Sequence, residues 1–161
     1  PVFYTQERVG LHGETFTLIK LRTMYEDAEA QTGPTWAKGD HADPRVTPVG
    51  RFLRKTHLDE VPQLVNVLKG EMSLIGPRPE RPHFVKQFKE VIPDYEKRHD
   101  VKPGITGLAQ LRSGYDRTMR DVRRKVKLDQ MYIRRKCWRV DAVIAASTLG
   151  KFFGTLQVEN Q

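Results

Sequence analysis

The sequence predicts an α+β domain, mainly helical, with a small antiparallel β-hairpin near the N-terminus and amphipathic helices at the C-terminus. Two segments rich in β-branched and aromatic residues, 2–9 and 15–21, flank residues 10–13, whose glycines have the composition of a hairpin turn. Helical periodicity recurs downstream in short stretches punctuated by proline and glycine. Two longer helical patterns then follow one another near the C-terminus.

A two-stranded hairpin is marginal alone, so it must lie on another element. Residues 24–31 favour helix, ended by Gly33-Pro34, and 35–48 read as a loop containing Gly39, Asp43 and Pro44. Residues 49–55 resume a helical pattern with Val49, Phe52 and Leu53 on one face. Thr56 is a candidate N-cap for a helix that carries Leu58, Val61, Leu64, Val65 and Leu68 and stops at Gly70. Pro62 suits only a first helical turn, so either Asp59 is the true cap or the helix kinks there. Gly76-Pro77-Arg78-Pro79 excludes regular helix and interior strand. Residues 82–90 and 93–100 read as short helices opened by proline, and Pro103-Gly104 with Gly107 mark a loop. A long helix is predicted from 118 to about 137, and a second, apolar over most of its circumference, over 140–153.

With 161 residues the chain reads as one domain, 1–161. A single cysteine, Cys137, excludes an internal disulfide and points to a reducing compartment. No window reaches the roughly 20 apolar residues that span a bilayer, and nothing resembles a signal peptide. The chain starts at Pro1 directly in a predicted strand, so an upstream segment is expected to precede it. The net charge of +8 is localised: residues 112–139 hold 11 basic and 3 acidic side chains, while the rest holds 17 of each. Such a stripe fits a phosphate-bearing substrate, a nucleic acid or an anionic membrane face. Tyr132 and Trp138 stand where the basic stripe meets the apolar helix, a border suited to lipid headgroups, with an ordinary core helix as the alternative.

Asp59 and Glu60 are the leading candidates for chemistry. Adjacent carboxylates on a helix point about 100° apart, so one can attack while the other holds a metal or moves a proton. Arg51, Arg54 and Lys55, just upstream, can neutralise a pyrophosphate and keep the acids ionised. By spacing alone the plainer reading is simpler, two acids favoured at a helix N-terminus. Prolines on both sides of Arg78 restrict its backbone, which suits a bidentate grip on phosphate, although an exposed turn arginine is an equal alternative. Lys20 and Arg22 share one strand face, either towards the same phosphate site or as a solvated edge. The five histidines lack metal-site spacing.

Taken together these segments resemble the bacterial polyprenyl-phosphate sugar-1-phosphate transferases, monotopic enzymes that initiate glycoconjugate and exopolysaccharide assembly. The resemblance runs from Val2 to Gly154 and is most specific at Gln6-Glu7-Arg8-Val9-Gly10, Lys20-Leu-Arg22-Thr23-Met24, Asp43-Pro44-Arg45-Val-Thr47, residues 54–70, Gly76-Pro77-Arg78-Pro79-Glu80 and Pro103-Gly104-Ile-Thr106-Gly107. It implies that Asp59 attacks the sugar-bearing phosphorus of a UDP-sugar and expels UMP, with Glu60 as its partner at a Mg²⁺ ion. The acceptor would be a polyprenyl (undecaprenyl) phosphate, and the site the cytoplasmic face of the bacterial inner membrane. A membrane-entering segment upstream and contact with anionic lipids are expected; oligomerisation is left open. Glu71 stands where the family often has Asp. Two rival readings are a basic nucleic-acid-binding module, which leaves the carboxylate pair and the Gly-Pro-Arg-Pro loop without a task, and a catalytically silent membrane-surface scaffold, motivated by the amphipathic C-terminal helices.

Overall fold

The computed structural model describes residues 1–30, 33, 43–114 and 118–157, the last six as backbone alone. Strands β1 (Phe3–Val9) and β2 (Thr15–Leu21) form the expected antiparallel hairpin, in register from Phe3 opposite Leu21 to Val9 opposite Thr15. The turn between them closes through His12 (φ 55°) and Gly13 (φ 84°). The hairpin is held on both edges. Val9 N donates to the Glu80 carbonyl, and the buried Asn66 amide accepts from Ile19 N and donates to the Thr17 carbonyl.

The helix expected over 24–31 is absent. Met24 instead bridges Val46, Tyr25 N donates to the Arg45 carbonyl, and turns run to Ala30, with Gln31 outside the described residues. Eight residues fall short of the length at which propensity alone sustains a helix, so tertiary pairing prevails. Of the predicted loop 35–48, residues 35–42 lie outside the described ones, and Pro48 already belongs to a helix.

α1 (Pro48–Lys55) is capped by Thr47, whose side chain accepts from Gly50 N, and Pro48 stands in its first turn. α2 (Gln63–Leu68) follows. The apolar stripes expected on these helices exist but face outward: Phe52 is 60% exposed, Val49 68% and Leu68 88%. The inward residues of α2 are Gln63 and Asn66. The core lies elsewhere, where Val9 meets Phe84, Val85 and Phe88 of α3 (Pro82–Val91), Ile92 and Tyr95, and Val122 and Val126 of α5 (Met119–Arg135).

The segment read as a loop at 103–107 contains a strand. β3 (Ser73–Ile75) pairs in parallel with β4 (Gly104–Thr106), and α3 with the 3₁₀ turn Tyr95–His99 fills the crossover. Strands of three residues are too short to show a period-two pattern. α4 (Leu108–Arg112), also unanticipated, leads towards α5. α5 opens with the reciprocal cap of Thr118 and Asp121, and α6 (Trp138–Gln157) packs through Val140, Asp141, Ile144, Ala145 and Thr148, one side of a helix. Tyr132 does not reach a headgroup layer. It is buried and donates to Asp141 at 2.8 Å, whereas Trp138 is exposed. Among the described residues no helix is long and apolar enough to cross a membrane.

His99 gives the core a measurable pH response. Its ring nitrogens are buried without a hydrogen-bond partner among the described residues. Burial, helped by the charges of Arg98 and Lys89, pushes it down to about 4. Between its ordinary value near 6.5 and about 4 the unfolded chain therefore binds a proton that the folded chain refuses. Stability is whole above that window and falls through it as pH drops, by up to about 3 kcal/mol. Thermal midpoints measured from pH 7 to pH 4 should show this loss, and His99→Phe should flatten it.

Candidate active site

A break in helicity presents the two carboxylates. α1 ends with Thr56 as its C-cap, and His57 takes φ 52°, ψ 15°, a left-handed conformation uncommon outside glycine. The chain then makes one 3₁₀ turn, Leu58–Glu60, before α2. Neither expected N-cap serves as one: Thr56 closes α1, Asp59 lies within the 3₁₀ turn, and Pro62 precedes α2. The turn sends Asp59 inward, 7% exposed, and leaves Leu58 and Val61 outside.

Glu60 meets Arg78, whose Nη2 donates to Oε1 at 2.5 Å. The Arg78 side chain remains 45% exposed, so donors stay available to an incoming anion. The two acids are driven apart. Burial, then the neighbouring Glu60 charge, raises Asp59, against the pull of Lys20, Arg54 and Arg78. Burial alone would also raise Glu60, yet Arg78, by charge and hydrogen bond, holds it below the usual range. Opposite shifts on neighbouring carboxylates are the pattern by which one fold assigns two roles.

Cations surround the pair. Burial and the proximity of Arg8, Arg78 and Arg54 bring Lys20 down to about 8, with Asp59 opposing the shift. Arg54 donates to Thr23 Oγ1 at 2.9 Å, and Arg8 is offset by Glu80 at 3.8 Å. Lys20, Arg54 and Arg78 thus act on Asp59, and their surplus over two carboxylates suits an anion. The other sequence candidates stand apart. Arg22 lies with Lys20 over the Tyr4 ring, as the shared face predicts, but its Nε donates to the Pro1 carbonyl. Arg51 and Lys55 are exposed on α1, and neither is among the charges that act most on Asp59.

The Gly-Pro-Arg-Pro loop is held by its carbonyls. Gly104 N donates to Pro77 O at 2.9 Å, Arg98 Nη2 to Arg78 O at 2.9 Å, Arg8 Nη1 to Pro79 O at 3.0 Å and Val9 N to Glu80 O at 2.9 Å. Prolines at 77 and 79 remove donors and restrict φ, so acceptors are what the surroundings must satisfy. Of these donors, sequence reasoning marked Arg8 only as part of a motif and did not mark Arg98 or its partner Asp129. Their partners lie 20, 31 and 71 residues away, where no local pattern reports them.

A buried carboxylate among cations, beside a second carboxylate tied to an arginine, is suited to accept a phosphoryl group from a diphosphate. The model of the family described as bacterial sugar transferase matches residues 1–155. The chain belongs to that family. This bacterial sugar transferase is 45% identical over 149 residues to an Aeromonas hydrophila protein named UDP-N-acetylgalactosamine-undecaprenyl-phosphate N-acetylgalactosaminephosphotransferase, a match covering 92% of this chain and 34% of the relative. Proteins from Caulobacter vibrioides and Escherichia coli, both named UDP-glucose:undecaprenyl-phosphate glucose-1-phosphate transferase, are 43% and 41% identical. Those matches cover 86% and 95% of this chain, and 52% and 33% of the relatives. The bacterial sugar transferase chain thus spans between a third and about half the length of these three relatives.

Proposed function

We propose that this chain is the catalytic domain of a phosphoglycosyl transferase that moves a sugar 1-phosphate from a UDP-sugar to polyprenyl phosphate. The carrying observation is the inward Asp59 set among Lys20, Arg54 and Arg78, beside a Glu60 already engaged by Arg78. In the first step an Asp59 carboxylate oxygen bonds to the sugar-bearing phosphorus. The bond from that phosphorus to the bridging oxygen breaks, and its electron pair leaves with UMP. In the second step a phosphate oxygen of the polyprenyl acceptor attacks the same phosphorus, and the acyl-phosphate bond returns its electrons to Asp59. Arg78, Lys20 and Arg54 offset phosphate charge throughout.

The donor chemistry fits Mg²⁺, which takes hard oxygen ligands and is commonly bound through one or two carboxylates plus substrate phosphates. Among the described residues no group of three or more His, Cys, Asp or Glu converges, so a cage made wholly of protein is not the fit. Glu60, with Asp59, would hold the ion. When bound it would supply charge neutralisation at the phosphates and favour the ionised form of Asp59.

The outward apolar stripes support a lipid-borne acceptor at the cytoplasmic face of the inner membrane. Val49, Phe52, Leu58, Val61, Leu64 and Leu68 flank the carboxylates in sequence and face away from the core. Arg51, Lys55 and Lys69 on the same segment are exposed cations, which favours an anionic headgroup layer as the occupant. The α5 stripe points the same way, because Asp121 is used in the cap and Asp129 in an internal ion pair, leaving basic side chains outside.

Mass spectrometry of the full-length protein in membranes, incubated with Mg²⁺ and a panel of UDP-sugars without acceptor, tests the reading. The expected result is a sugar-phosphate adduct on the peptide containing Asp59, discharged on adding polyprenyl phosphate. Turnover without any adduct, even on a millisecond quench, would replace it with direct displacement.

A further inference from the structure

We infer that the buried Arg98–Asp129 ion pair, anchored by Tyr95, is the positioning device that fixes Arg78 over the carboxylates. This rests on the function proposed above and adds residues to it. Arg98 lies in the 3₁₀ turn Tyr95–His99 and Asp129 midway along α5, with side chains 7% and 3% exposed. Arg98 Nε and Nη2 donate to Asp129 Oδ2 at 3.2 and 2.8 Å, and Nη1 donates to the Tyr95 hydroxyl at 2.8 Å. The same Nη2 donates to the Arg78 carbonyl at 2.9 Å.

This geometry uses features that only a guanidinium has. Arg98 satisfies a carboxylate, a hydroxyl and a carbonyl from one rigid plane, so the place of the Arg78 carbonyl is referred to α5 and the core. Replacing a buried ion pair by apolar residues is often neutral or stabilising, so stability is a weak reason for such a pair. Placement is a stronger one. The Arg78 side chain is long and half exposed, and its reach to Glu60 is reproducible only if its main chain cannot shift. Neither flanking proline can donate a hydrogen bond, which leaves the carbonyls as the handles by which the backbone is held.

The test uses the full-length protein in detergent or membranes and a double-mutant cycle. Arg98→Lys is measured in the native background and in Arg78→Lys. Acting through Arg78, it should lower kcat with a UDP-sugar by about 10- to 100-fold in the native background and by less than about twofold when Arg78 is already Lys. Hydrogen exchange at the Val9 and Gly104 amides, which donate to the Glu80 and Pro77 carbonyls of the loop, should quicken in Arg98→Lys and in Asp129→Asn. Tyr95→Phe removes one bond of Arg98 and keeps the rest, and should show the same coupling at a few-fold loss should Arg98→Lys fail to fold. Equal losses in both backgrounds, or unchanged exchange at those amides in the folded variants, would overturn the inference and leave the pair a structural one. Absence of turnover by the native protein with every UDP-sugar would defeat the proposed function instead, and the exchange experiment would still decide the positioning role.

Discussion

Asp59→Asn in the full-length protein should lower turnover by roughly a thousandfold or more and remove the sugar-phosphate adduct, with little change in thermal midpoint. The substitution keeps the shape of a side chain that is 7% exposed, so packing is preserved. It replaces the proposed oxygen nucleophile by an amide that cannot form an acyl phosphate. The amide also brings donors into a cluster where Lys20, Arg54 and Arg78 already supply them. Binding and electrostatic stabilisation by those cations survive, so a residual rate is expected rather than none. A variant with near-native kcat and an adduct still on the same peptide would transfer the nucleophile to another group.

Gly104→Ala should destabilise the fold by about 3 kcal/mol or more and impair catalysis, although the residue lies on β4 and carries no charge towards Asp59. A Cβ at Gly104 would overlap the Gly76 backbone and come within 2.6 Å of the Thr106 carbonyl oxygen. The obstructing atoms are backbone on both sides, so no flexible side chain can yield. β3 and β4 would have to separate, and their separation removes the bonds from Gly104 N to Pro77 O and from Gly76 N to Thr106 O. The first of these holds the loop that carries Arg78. Chemical denaturation should show a lower midpoint for Gly104→Ala, and the folded fraction should show weakened donor use. A midpoint within about 0.5 kcal/mol of the native protein would contradict the close approach of the two strands.

The residues that proved informative in the sequence share one property, that their partners lie nearby along the chain. The hairpin is visible because alternation and turn glycines fall within 19 residues, from Phe3 to Leu21. Asp59 and Glu60 are adjacent, and the two prolines that restrict the Arg78 loop are the immediate neighbours of that arginine. The helix expected over 24–31 fails because pairing of Met24 with Val46 outweighs a weak local preference. The helix expected to run from Thr56 to Gly70 is interrupted at His57, whose left-handed conformation is required by the path of the chain and not by its own residue type.

From sequence alone one can establish that this protein is an α+β domain of the bacterial sugar transferase type, carrying a carboxylate pair, a proline-bounded arginine and a cationic helix. Periodicity exposes an apolar stripe on the segments around Asp59, but a stripe has no sign: it shows which residues share a face and not whether that face looks inward. The tertiary structure decided that Gln63 and Asn66 turn in while Phe52 and Leu68 turn out. It alone brought Arg8, Arg98 and Asp129 to the Arg78 loop, since contacts across 20 to 71 residues arise from packing of the whole chain and leave no trace in any short window.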